Sequence, residues 1–414
     1  MSPTSFFAFS LKPSPTSIKP PTPKSPPQNP PPMQTNRKLN VKIMVPSDFF
    51  SSLPTRPKRK AYLYENLTAE QKAKVAVINA FANSPQEFLE KYVVKAVVGY
   101  GGNGCVVAAE EKTEHKSFPV AIKIIYKVHV GKNQKFPTEV TALRELNAVC
   151  TSSSVLRCLA AFQDSHHWYL VTELFGSDWL SHVPSVRRDN LTFTSNTSGS
   201  IQKHSLPFSQ GNVDAWGWQV AHRRYMLQTA GTQLLPTEPI KHIIRECAKA
   251  LLSIHDVGYF HGDVKLENIL LEYPNLSFGN KSDSPLLMLA DYGYCAKVSD
   301  GIQRYGTEEI APPEFLGDGP GFLDGRASDV YALGMVLFVL MSEFGMFPSA
   351  VKSAKEIGYR GLLRMDGGKF PFDFSDTYSE GARDLLNGMC MVNPEKRLDM
   401  RAVLSQAWLC SNDV

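Results

Sequence analysis

The stretch that most restricts this 414-residue chain is His261-Gly262-Asp263-Val264-Lys265-Leu266-Glu267-Asn268, followed by the apolar run Ile269-Leu270-Leu271. Asp263 and Asn268 are separated by four residues, with Lys265 between them. A carboxylate, an ammonium and an amide therefore share one short loop that runs into a strand-like segment. Such a set can take a proton from a hydroxyl, steady a moving anion and offer an oxygen to a hard cation, as phosphoryl transfer requires. The competing reading of the octet alone is an ordinary polar loop.

Three further stretches narrow the choice. Upstream lies Gly99-Tyr100-Gly101-Gly102-Asn103-Gly104-Cys105-Val106, a G-x-G-x-x-G-x-V pattern between apolar runs. Glycines there let the backbone approach phosphates and present N–H groups to them. Next comes Val120-Ala121-Ile122-Lys123 in a β-branched run, and downstream Asp291-Tyr292-Gly293 follows the short apolar segment 286–290. In order and spacing, the four stretches resemble the protein-kinase signature set. From about Tyr92 to its end, the chain resembles a eukaryotic-type serine/threonine protein kinase. A Lys two residues after the Asp is the serine/threonine form of that family.

The resemblance implies an α+β, bilobal protein-kinase fold: a small β-rich lobe with one main helix and a larger, mostly helical lobe. It implies an ATP-dependent transferase acting on Ser or Thr hydroxyls of proteins, with Mg²⁺ as cofactor. Lys123 would hold the α- and β-phosphates and pair with Glu139, whose helix would bury Val140, Leu143 and Leu146; Glu145 is the rival acid. Asp263 would orient the substrate hydroxyl and accept its proton, Lys265 would steady the γ-phosphate, and Asn268 with Asp291 would hold Mg²⁺. Gly99, Gly101 and Gly104 would cradle phosphates, while Val106, Ala121 and Leu270 would sandwich adenine. The hinge would be Glu173 to Phe175, with Thr172 before it and Asp178 set to reach the ribose. Glu267 would favour basic residues before the acceptor.

Two departures from the family pattern stand out. H-R-D reads His261-Gly262-Asp263, and D-F-G reads Asp291-Tyr292-Gly293. Neither removes a group the reaction needs. The first removes an arginine that in many relatives receives the phosphate on the activation loop, and counting back from Thr307 the usual phosphoacceptor falls on Gln303. The expectation is an enzyme active without loop phosphorylation. The alternative is a pseudokinase, a binding scaffold on the same fold, which typically lacks one of these catalytic groups.

Composition bounds the rest. Residues 1–57 carry fourteen prolines and residues 1–60 hold ten Lys or Arg against one acid, Asp48. A stretch like this cannot form a packed core and reads as a disordered, basic interaction tail. Arg56-Pro57-Lys58-Arg59-Lys60 resembles a nuclear-localisation cluster, so the expected location is cytoplasmic with nuclear entry through that pentamer. Seven cysteines without C-x-x-C spacing read as reduced thiols. The longest apolar run, 330–341, is too short for a membrane span.

The expected organisation is a tail at 1–60, a helical extension at 61–91, a small lobe at 92–175 and a large lobe at 176–414. Thr68 and Gln71 form a capping box that opens the extension, with Val75, Ile78 and Phe81 or Ala82 on one face. The large lobe would carry an insert at about 182–236, of which 189–213, rich in Ser, Thr, Asn and Gly, reads as a flexible surface loop. Expected partners are protein substrates with basic motifs and regulatory proteins at the tail or insert. No nucleic acid is expected, and the protein should be a monomer.

Overall fold

The computed structural model describes residues 64–83, 86–113, 117–127, 135–175, 188–197, 200–209, 237–272, 286–302, 311–315, 323–341, 359–364 and 379–411. The Pro-rich tail, Asp178, residues 210–236, 273–285 and 303–310 lie outside the described residues.

Helix α1 (Ala69–Asn83) opens the described chain and is followed by the short α2 (Gln86–Lys91). Its start is the reciprocal box read from sequence: Thr68 N–H donates to Gln71 Oε1 at 3.0 Å, and Gln71 N–H to Thr68 Oγ1 at 3.2 Å. The buried face is Ala73, Ala76, Val77, Ile78, Ala80 and Phe81, so Ile78 and Phe81 are buried as read from sequence, while Val75 is only half-buried. Three alanines on that face let α1 lie close on the sheet beneath it.

Strands β1 (Tyr92–Tyr100), β2 (Gly104–Lys112) and β3 (Ser117–Tyr126) precede helix α3 (Thr138–Val149), and β4 (Cys158–Gln163) and β5 (His167–Glu173) follow it. With β6 (Arg188–Thr197) and β7 (Ser200–Ser209) they make a seven-stranded sheet in the order β4-β5-β3-β2-β1-β7-β6. Both faces of β3 are covered. Val120, Ile122 and Ile124 turn into a cluster shared with α1, β6 and β7, while Ile125 packs with the inner face of α3 (Val140, Leu143, Leu146). A strand buried on both faces reads as a near-continuous apolar run, here Val120 to Tyr126 interrupted only by Lys123.

The reading of 189–213 as a flexible surface loop on the large lobe is overturned for 189–197 and 200–209, while 198–199 and 210–213 lie outside the described residues. Residues 188–209 form an antiparallel hairpin, and β7 joins β1 in parallel at Val97↔Phe208. Leu191, Phe193 and Ser195 on β6, and Leu206 and Phe208 on β7, are buried, whereas Thr192 and Ser205 are exposed. That alternation has the period of a strand with one covered face. Polar Ser and Thr residues fill its outer face and hide the signal.

The larger lobe is built on α4 (Thr237–Asp256), whose Ile240, Ile243, Ile244, Cys247, Leu251 and Ile254 are all buried as the sequence predicts. Short strands β8 (Tyr259–Phe260), β9 (Ile269–Glu272), β10 (Leu286–Leu289) and β11 (Ala296–Lys297) carry the loops between them. Helix α5 (Gly325–Met341) is buried on nearly every side, and α6 (Tyr359–Leu362), α7 (Glu380–Met389), α8 (Met400–Leu404) and α9 (Ala407–Cys410) pack outside it. No helix among the described residues is long and apolar enough to cross a membrane. All seven cysteines are free thiols, five of them buried.

Candidate active site

Between the lobes lies a cleft of about 1310 Å³. Its roof is the β1–β2 turn, closed by Gly101 N–H donating to Gly104 O at 2.8 Å and held to β3 by Tyr126 N–H on Asn103 O at 3.0 Å. A Cβ at Gly104 would stand 2.8 Å from the Ile124 backbone oxygen, so the close approach of β2 to β3 there requires glycine. The strand ladder sets Val106 beside Lys123 and Ala121 beside Thr172.

Lys123 reaches Glu139, the partner expected for it, and also Asp291, which the sequence reading assigns to Mg²⁺. Its Nζ lies 2.6 Å from Glu139 Oε1 and 2.9 Å from Asp291 Oδ1. The rival Glu145 is elsewhere, bonded to Lys297 at 2.8 Å and accepting from Tyr259 Oη at 2.9 Å. Helical spacing explains the outcome: Glu139 sits on the buried side of α3 with Val140 and Leu143, while Glu145 is exposed. The Lys123 charge holds Asp291 down to about 2. Burial raises the Glu139 carboxyl, against the pull of Lys123. Burial also works to lower Lys123, and the two carboxylates more than offset it, so its pKa is raised. An ammonium so held is a fixed positive charge at neutral pH, positioned for an anion.

The octet 261–268 forms the floor. Asp263 is buried; its Oδ2 lies 2.9 Å from Lys265 Nζ, and Asn268 Nδ2 donates to Asp263 O at 2.8 Å and Oδ2 at 3.0 Å. Those bonds commit the amide nitrogen of Asn268, so its oxygen is the atom a cation would use. His261 Nε2 donates to Ala290 O at 3.1 Å while its Nδ1 accepts from Asp263 N–H at 3.3 Å, which fixes the ring between the catalytic loop and the Asp291 turn. The loop backbone is anchored from α5: Asp329 accepts from His261 N–H at 2.7 Å and from Gly262 N–H at 2.8 Å.

Two backbone conformations here are unusual. Asp291 has φ +61°, a region rarely occupied by side chains other than Gly, Asn and Asp. Gly262 has φ +78°, and a Cβ there would lie 2.7 Å from the Tyr294 backbone oxygen. Tyr292 is fully buried, tilted against His261 with centroids 4.9 Å apart. Its hydroxyl lies near the Leu156 backbone but makes no hydrogen bond of good geometry among the described residues.

Gly99, Gly101, Gly104, Val106, Ala121, Lys123, Glu139, Glu173, Phe175, Lys265, Asn268, Leu270 and Asp291 all line the cleft. Asp178 lies outside the described residues. Sequence reasoning missed Tyr64, Glu65 and Lys72, which line it from the N-terminal extension. No periodicity or motif links them to a site that lies tens of residues away.

Residues 220–409 match the family model described as protein kinase domain. The chain is similar to the calcium/calmodulin-dependent protein kinase type 1 of Macrobrachium nipponense, 25% identical over 329 residues, covering 78% of this chain and 76% of that protein. It is similar to the calcium-dependent protein kinase 4 of Plasmodium berghei, 24% identical over 339 residues, with 79% and 51% covered. The serine/threonine-protein kinase PKZ1 of Phytophthora infestans is 32% identical over 186 residues, 42% of this chain and 45% of that protein. The fold, a β-sheet small lobe over a helical large lobe, is that of a protein kinase domain, and these similarities support the eukaryotic serine/threonine type.

Proposed function

We propose that this protein transfers the γ-phosphate of ATP to Ser or Thr hydroxyls of protein substrates, and that it does so without phosphorylation of its activation loop. The observation that carries the reading is the convergence of Lys123, Glu139 and Asp291 with Lys265 and Asn268 on one cleft, with Asp263 bonded to the last two. In this reading Glu139 holds Lys123 extended, and Lys123 binds the α- and β-phosphates. Asp263 orients the acceptor hydroxyl and takes its proton, and Lys265 steadies the group in transfer. The glycine-rich turn covers the phosphates, and Val106, Ala121 and Leu270 enclose adenine with the Glu173–Phe175 backbone as its hydrogen-bonding edge.

The donor set suits Mg²⁺, which favours one or two protein oxygens completed by phosphate and water. Asn268 Oδ1 and the Asp291 carboxylate would supply them, the latter ionised at neutral pH because Lys123 holds its pKa near about 2. Bound there, Mg²⁺ supplies charge neutralisation at the phosphates. Glu267, exposed at the cleft mouth, favours substrates with basic residues before the acceptor.

Independence from loop phosphorylation rests on Gly262. A loop phosphate orders its segment only when charge-assisted hydrogen bonds receive it, and the position next to Asp263 has no side chain to do so. The test is a positional peptide library with Mg²⁺-ATP. Turnover with basic selection is expected, falling by on the order of 10²–10⁴-fold in Asp263→Asn and nearly vanishing in Lys123→Met. A folded wild type that binds ATP yet transfers no phosphate would instead favour the scaffold reading.

A further inference from the structure

After the hinge strand β5, the chain returns to the small lobe and adds β6 and β7 beside β1, the strand that leads into the glycine-rich turn. Phe208 on β7 is fully buried and sits in register with Val97. Its ring stacks on Tyr100, centroids 5.4 Å apart and planes 26° from parallel. Tyr100 lies between Gly99 and Gly101, so this contact reaches the turn itself.

The hairpin is itself held firmly. Lys74 of α1 sits 5.1 Å over the Phe208 ring. Phe81 of α1 packs edge-on against Phe193 at 5.1 Å and against His204 at 4.8 Å, and Phe193 stacks on His204 at 4.9 Å. Ser195 Oγ and His204 Nε2 are hydrogen-bonded at 2.7 Å across the two strands. The turn that Phe208 touches is held by two backbone hydrogen bonds, with little side-chain packing of its own. At Gly99, Gly101 and Gly102 nothing lies within 4 Å of where a Cβ would be, so side chains do not order this segment from within. Glycines lose the most conformational freedom on being fixed, which makes an outside anchor consequential.

We propose that the β6–β7 hairpin braces the glycine-rich turn along its β1 flank, with Phe208 as the positioning residue that holds Tyr100 and presets the turn for nucleotide phosphates. The proposal rests on the reading of the cleft as an ATP site. Its effect should fall on nucleotide affinity more than on the chemical step, because a preset turn reduces the ordering cost of binding.

The test compares full-length wild type with Phe208→Leu, which keeps apolar volume but loses the ring, Tyr100→Leu, and the conservative Tyr100→Phe. Hydrogen exchange of residues 101–104 without nucleotide should quicken about three- to tenfold in the two leucine variants, the range an aromatic pair is worth, and stay near wild type in Tyr100→Phe. KM for ATP should rise by a similar factor, with kcat within about twofold. Circular dichroism and thermal melting report the fold, and Tyr100→Leu, at a half-buried position, serves if Phe208→Leu does not fold. The exchange measurement needs no ATP, so a wild type without turnover would count against the kinase reading alone. Unchanged exchange in a folded Tyr100→Leu, or faster exchange with an unchanged KM, overturns the brace.

Discussion

A side chain at position 262 would start 2.7 Å from the Tyr294 backbone oxygen, on a backbone already at φ +78°. The arginine that this position carries in the family pattern therefore cannot be restored by substitution without moving the Asp291 turn. Gly262→Ala should cost about 1–3 kcal/mol of stability, the usual toll for a strained φ with a close contact, measured by denaturant unfolding. A melt unchanged from wild type would show that the turn yields easily. Tyr292 makes the opposite case. Its buried hydroxyl lacks a well-formed hydrogen bond among the described residues, and such a group costs about 1–3 kcal/mol relative to an apolar replacement. Tyr292→Phe should therefore raise the melting temperature while keeping the ring against His261. A lower melting temperature would mean that the hydroxyl is satisfied after all. Cys105, by contrast, is not a reactive thiol of the turn: burial pushes it up to about 12.

At the scale of elements, a buried ion pair joins the Pro313–Phe315 turn to the segment before α8. Arg397 Nη1 and Nη2 each lie 2.8 Å from a Glu314 oxygen, and the guanidinium also donates to Met391 O and Ala327 O. Both side chains are almost entirely buried. Removing one partner strands a charge out of water, so Arg397→Ala should cost about 3–5 kcal/mol. Equilibrium unfolding checks it, and a loss under about 1 kcal/mol would show that water reaches the pair. The hairpin makes a second elemental prediction. Phe193 packs between α1 and His204, so Phe193→Ala should cost about 3–5 kcal/mol if the hairpin is an integral part of the small-lobe core. Limited proteolysis should then cut first within 188–209. Wild-type resistance in the variant would mean that the hairpin is held by its backbone ladder alone.

For the molecule as a whole, the cleft is assembled from both lobes. Asp329 fixes the catalytic-loop backbone from α5, and Lys297 of β11 ties to Glu145 of α3. Exposed as it is, that last pair is worth little energetically, yet it joins the start of the activation segment to the helix that carries Glu139. Purified enzyme treated with phosphatase, with loss of loop phosphate confirmed by mass spectrometry, should keep its initial rate. A fall of roughly tenfold or more, about 1.4 kcal/mol in barrier, restored by rephosphorylation at Ser299 or Tyr305, would refute independence from the loop.

The sequence alone determined whatever depends on local order and spacing. The octet 261–268, the glycine pattern, Lys123 and Asp291 each carry their chemistry within a few residues; Lys265, Glu267 and Asn268 line the same cleft as the glycine turn, Lys123 and Asp291, and Asp263 is bonded directly to Lys265 and Asn268. Helical periodicity named the buried face of α4, because burial of one stripe is a local property of a 3.6-residue repeat, whereas the choice of Glu139 over Glu145 came from the E-x-x-x-L-x-x-L pattern of the family the chain resembles. The Thr68–Gln71 box is equally local. Tertiary structure decided what depends on a partner strand or a distant surface. A hairpin whose outer face is Ser and Thr resembles a loop until β1 and α1 cover its inner side, for a strand's stability lies in its cross-strand and facing neighbours rather than in its own residues. The same reason hid the contact of Tyr100 with Phe208, and the lining of the cleft by Tyr64, Glu65 and Lys72: residues far apart in sequence meet only where the packing of the whole chain brings them together.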